Sequence, residues 1–171
     1  MASLMENLID VLNRECNEYE GLLSVSQRKT PVIVSGKLEE LQMITDEEQT
    51  IVSKVNNLER ERSQVMKDIA TVLNRDEKSL TLLQLIDLLA GRPGEQAALQ
   101  TAYDRLHHSV GMLKRVNEQN GMLLQDALEM VNFEINLLQA AKAAPETANY
   151  NRGAYNAGGT MGVSKGFDAK Q

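Results

Sequence analysis

Apolar residues along this chain recur in steps of three and four, the spacing that places side chains on one face of an α-helix. The clearest stretch is Glu95 to Lys142. It has no proline, and its two glycines, Gly111 and Gly121, are isolated. Its apolar positions are Leu99, Tyr103, Leu106, Val110, Leu113 and Val116, then Leu123, Leu124, Ala127, Leu128, Val131, Ile135 and Leu138. At 1.5 Å per residue the predicted helix is roughly 70 Å long. A stripe of that length needs partner helices from its own chain or from a second copy, because an isolated amphipathic helix leaves it in water.

Earlier in the chain, Ser3 and Glu6 form a capping-box signature, and Met5, Leu8, Leu12, Cys16, Tyr19 and Leu23 line a first helical face. That helix is expected to end near Arg28 and Lys29, with Pro31 closing it and Val32-Ile33-Val34 packing as a connector. Ser35-Gly36 is expected to open a second long helix. Leu41, Ile44, Glu48, Ile51, Val55, Leu58, Arg62, Val65, Ile69 and Val72 then make a heptad seam that ends near Asn74. Two seam positions, Glu48 and Arg62, are charged. Each must find an opposite charge or reach water, since burying an unpaired charge costs several kcal/mol.

Between Asp76 and Ala90, Leu82, Leu85, Ile86 and Leu89 predict a short helix capped by Ser79 or Thr81 and stopped by Gly91, Pro93 and Gly94. Folded back over the end of the second helix, it makes the last helix run antiparallel to the second. The fold class expected is therefore all-α: an elongated antiparallel helical bundle or coiled-coil hairpin, with a short connecting helix and a flexible C-terminal tail. The expected division is a helical body over 1–142 and a glycine-rich tail over 143–171. Residues 149–171 hold five of the eleven glycines and little apolar surface to offset ordering entropy.

Composition narrows the function. The chain is 42% hydrophobic but only 4% aromatic, which suits thin helix-on-helix seams. A net charge of −6 argues against nucleic-acid binding. The single cysteine, Cys16, leaves no disulfide framework or cysteine cluster for a metal. The N-terminal segment has no basic region ahead of an apolar run, and no apolar run is long enough to span or insert into a membrane. A cytoplasmic protein is expected.

No catalytic set emerges, and no cofactor is expected. His107 and His108 are adjacent and point about 100° apart on a helix, so they cannot share a metal. Asp104-x-x-His107 is half of a di-metal bundle motif with no matching half on another helix. Cys16 reads as a small core hydrophobe. Gly91-Arg92-Pro93-Gly94 reads as a turn, and Gly158-Gly159-Thr160-Met161-Gly162 lacks the strand and helix of a phosphate loop. Asn117 and Asn120 are more informative, and Asn120 falls on the last stripe. Either it sets register through a buried hydrogen bond, or it marks a gap where the helix end splays to receive another helix. Met112, Met122 and Met130 suit an adaptable surface but fit ordinary packing better.

Several features together resemble the FlgN family of flagellar export chaperones over roughly residues 4–158. They are the acidic all-helical chain, Leu58-Glu59-x-x-Arg62, Asn117-x-x-Asn120-Gly121-x-Leu123-Leu124, and a glycine-rich tail with Tyr-Asn followed by Gly. The resemblance implies a non-enzymatic cytoplasmic chaperone for the hook-associated proteins FlgK and FlgL, delivering them to the export gate through FlhA. It also implies cargo binding by the end of the last helix and the tail. There Leu124, Leu128, Val131, Ile135 and Leu138 continue the stripe after the second helix is expected to run out of length, which leaves roughly ten residues, about 15 Å, for the first helix, the connector or a partner to cover. A tail tyrosine would dock on the gate, within Tyr150-Asn151-x-Gly153 or Tyr155-Asn156-x-Gly158. Arg62, Asn117 and Asn120 take structural roles. The alternative is a structural coiled-coil subunit whose stripe is satisfied by self-association.

Overall fold

A computed structural model describes residues 3–143. They are helical almost throughout and include no strand: α1 spans Leu4–Ser35, α2 Leu38–Val72, α3 Leu82–Leu88 and α4 Pro93–Ala143, with a 3-10 turn at Leu89–Gly91. The chain divides into two compact units, Met1–Asn132 and Phe133–Gln171. In the second, the described residues, 133–143, are helical and exposed along their whole length.

In the first unit the helices start where the sequence places caps. Ser3 Oγ accepts the Glu6 N–H at 3.1 Å, and Glu6 Oε2 accepts the Ser3 N–H at 2.7 Å. Thr81 and Gln84 make the same reciprocal pair at the start of α3.

The first boundary differs from the sequence expectation. Pro31 lies inside α1, which continues to Ser35 and stops at Gly36. The pyrrolidine removes only the N–H that would reach the carbonyl of Gln27, and Gln27 and Pro31 are both exposed, so water can serve that carbonyl. Gly36 adopts φ 68°, and its N–H reaches the carbonyls of Val32 and Ile33, a left-handed helix stop that suits a residue without Cβ. Val32-Ile33-Val34 is thus the last turn of α1 rather than a connector. Val32 and Ile33 are buried, while Val34 is exposed. Lys37 flanks the start of α2, and Pro93 begins α4 instead of ending α3, a position where its missing N–H costs nothing.

α1 is the central element. Its polar partners on α2 descend from Arg62 to Glu47 as those on α1 ascend from Arg14 to Lys29, so α1 and α2 form an antiparallel hairpin. Its partners on α4 ascend together: Cys16 with Ala102, Glu20 with Arg105, Thr30 with Asn120. α4 therefore runs parallel to α1 and antiparallel to α2. The core lies at the end where α3 folds in. Leu8, Leu12 and Cys16 pack there with Ile69 and Ala70, Leu85, Ile86 and Leu89, and Leu99, Ala102 and Leu106. On α2 the seam faces inward from Leu41 to Ile69, mostly half-buried, and Val72 falls outside it.

Candidate functional site

Burial along α4 ends where α1 ends. Leu99, Leu106, Leu113 and Asn120 are buried, and Leu123 and Leu124 half-buried. The Thr30–Asn120 hydrogen bond, 2.6 Å long, sets the register between the two helices. α1 stops five residues after Thr30, at Ser35, and every α4 residue of the first unit from Gln125 to Asn132 is exposed. Leu128 is 59% exposed and Val131 50%. In the second unit, Ile135 and Leu138 are exposed as well. The sequence pattern puts Leu124, Leu128, Val131, Ile135 and Leu138 on one face of a helix.

A second set of apolar side chains lies at this end, and it includes Met122 and Met130, for which ordinary packing was the expectation and which are instead exposed. Met122 and Met130 in the first unit, and Phe133 and Leu137 in the second, are large and exposed. Their spacing places them on the face opposite Leu128 and Val131. Hydrophobic residues on opposite sides of a helix mark a segment made to be covered. The signal was present in the spacing of Phe133 and Leu137, but a search for one stripe passes over it.

The charged seam residues find partners on α1. Glu48 accepts from Lys29 Nζ at 2.7 Å and from Ser26 Oγ at 3.1 Å. Arg62 Nε lies 3.3 Å from Glu15, a carboxylate that is wholly buried and has no hydrogen-bond donor on either oxygen among the described residues. Burial pushes the Glu15 carboxyl up from its ordinary value, Arg62 opposes that shift, and Glu59 adds to it. Tyr19 donates to Glu59 at 2.7 Å; burial first, then that hydrogen bond, raise its phenol. Asn120 donates to the Ser26 carbonyl at 2.8 Å and accepts from Thr30, so both ends of its amide are satisfied. Asn117 lies on the exposed side of α4.

The candidates for catalysis are not brought together. His107 and His108 are exposed, and His107 stacks on Tyr103 with ring centroids 5.9 Å apart. Asp104 accepts from Gln100. Cys16 is buried, its thiol 3.4 Å from the Ala102 carbonyl, and burial raises its pKa. Among the described residues no group of three or more His, Cys, Asp or Glu side chains could hold a metal ion. No described helix is long and apolar enough to cross a membrane. Tyr150, Asn151, Gly153, Tyr155, Asn156 and Gly158, and the glycine stretch from Gly158, lie outside the described residues.

The chain is similar to known proteins over most of its length. A family model described as FlgN protein matches residues 1–160. A Bacillus subtilis (strain 168) protein, YvyG, itself described as uncharacterized, is 31% identical over 144 residues, covering 84% of this chain and 83% of the relative. No solved structure gives a significant match.

Proposed function

Starting from a chain that belongs to the FlgN family of flagellar export chaperones, we propose that it captures the hook-associated proteins FlgK and FlgL on the end of α4. Leu124, Leu128, Val131, Ile135 and Leu138 hold an amphipathic helix of the cargo, hiding an assembly-prone surface until export. The observation that carries this reading is the exposure of Leu128 and Val131 once α1 has ended. Apolar side chains of this size pack readily against a foreign helix, and nothing in the described first unit covers them. The protein works in the cytoplasm, without enzymatic activity or nucleic acid. The helical body, 1–142, holds cargo, and the tail, 143–171, presents Tyr150 or Tyr155 to FlhA at the export gate.

Leu128→Asp combined with Ile135→Asp should abolish FlgK and FlgL binding in calorimetry and leave helicity by circular dichroism unchanged, since both side chains are exposed. Unchanged affinity would remove the cargo assignment. Tyr150→Ala combined with Tyr155→Ala should leave cargo binding intact and stop secretion of the hook-associated proteins; normal secretion by that double variant would remove the gate assignment.

A further inference from the structure

We propose that α4 carries a second docking face, built on Met122 and Met130 among Glu118, Asp126 and Glu129, and that it receives an amphipathic helix bearing Lys or Arg from a partner protein. This face lies on the other side of α4 from the one assigned to cargo, so the proposal does not depend on the cargo reading.

An α-helix turns about 100° per residue. Around α4, Glu118, Met122, Asp126, Glu129 and Met130 therefore fall within roughly 120° of one another. Leu113 and Asn120, the buried residues nearest this stretch, lie on the opposite side, as do Leu128 and Val131. The face consequently points away from α1, the helix against which Asn120 is bonded. Met122 is 65% exposed and Met130 63%. In the second unit, Phe133 and Leu137 keep to the same spacing and are exposed as well. Water gains nothing from large apolar side chains at these positions, and methionine adapts its shape to a foreign helix.

Charge selects the occupant. Glu118, Asp126 and Glu129 are all exposed, and none takes part in an ion pair among the described residues. Glu129 accepts a hydrogen bond only from Gln125, at 3.2 Å. No Lys or Arg occurs from Val116 to Asn132, and the nearest cation on this face, Arg115, stands one turn before Glu118. Two copies of this chain meeting through the face would set these acids against one another. A helix whose apolar stripe is bordered by Lys or Arg meets them with opposite charge. The occupant is therefore a basic amphipathic helix and not a second copy.

The test titrates the full chain by calorimetry, at low and high salt, with a synthetic amphipathic peptide of Leu and Lys of about 18 residues, five helical turns. A matching peptide of Leu and Glu serves as control, and sedimentation equilibrium runs in parallel. The Leu/Lys peptide should bind, more weakly as salt rises, and the Leu/Glu peptide should not. Met122→Ser combined with Met130→Ser should weaken binding by about tenfold or more, with melting temperature unchanged. Glu118→Gln, Asp126→Asn and Glu129→Gln together should weaken it and flatten the salt dependence, a readout that stands even if the serines disturb folding. Leu128→Ser combined with Val131→Ser should leave peptide binding as in wild type. Absence of binding, or binding that neither the serine nor the amide variant changes, overturns the face. Equal affinity for the Leu/Glu peptide overturns the charge selection. Loss of binding in the Leu128 and Val131 variant alone moves the peptide to the opposite face, which also overturns the proposal and leaves the cargo reading standing. Self-association that the methionine variant abolishes, with peptide affinity unchanged, assigns the face to a second copy and overturns it too.

Discussion

Glu15 is an acid held where water does not reach, facing one guanidinium at 3.3 Å. Its carboxyl binds a proton more tightly in the folded chain than in the unfolded one. The folded state therefore holds more protons between the ordinary carboxylate value and the raised one, and the contribution of Glu15 to stability is lost as pH rises through that window. Glu15→Gln should flatten this part of the stability–pH profile in chemical denaturation. At neutral pH it should leave stability within about 1 kcal/mol of wild type or raise it, since Arg62 keeps partial access to water. A loss well beyond that would mean that the ion pair outweighs its desolvation. In the sequence, Glu48 and Arg62 stood out as charges on a seam. Glu15 did not, because it belongs to a second buried face of α1, with Val11, Leu22 and Val25, that a one-stripe reading of this helix leaves aside.

At the scale of the element, α1 shows how a local rule yields to its surroundings. A proline inside a helix costs about 3 kcal/mol in a free helix interior, and that cost predicts an end near Arg28. Val32 and Ile33 lie beyond Pro31 and are buried, and their packing holds the last turn helical until Gly36. Pro31→Ala should consequently raise the unfolding free energy, by about 1–3 kcal/mol; a destabilised variant would show that the ring packs in a way the helix depends on. The α2 seam was legible from Leu41 to Ile69 because one straight heptad stripe meets one partner. The start of α4 at Pro93 was not, since proline both ends helices and begins them, and only the preceding 3-10 turn decides between the two.

For the whole molecule, the question is what covers the large apolar side chains of α4 that the described residues leave exposed. A chaperone keeps them available for cargo. A structural coiled-coil subunit closes them against its own copies. Light scattering over a dilution series separates the two: the chaperone reading expects no oligomer that persists unchanged on dilution, and a rigid, concentration-independent assembly would favour the structural subunit.

The sequence alone determined that the chain is helical, one apolar face of each long helix, and the cap at Ser3, and it narrowed the cap of α3 to Ser79 or Thr81. These depend on periodicity and on contacts three or four residues apart, which are local. Its order of motifs also pointed to the family. Only the tertiary structure decided that α1 is the central helix, that Glu15 is buried against Arg62, and that Asn120 is satisfied by Ser26 and Thr30. It also decided where along α4 the cover ends. A stripe of leucines is the same pattern whether a neighbour lies against it or not. Its exposure depends on where another helix stops, and for α1 that is the Gly36 cap, reached because the packing of Val32 and Ile33 holds the helix past Pro31.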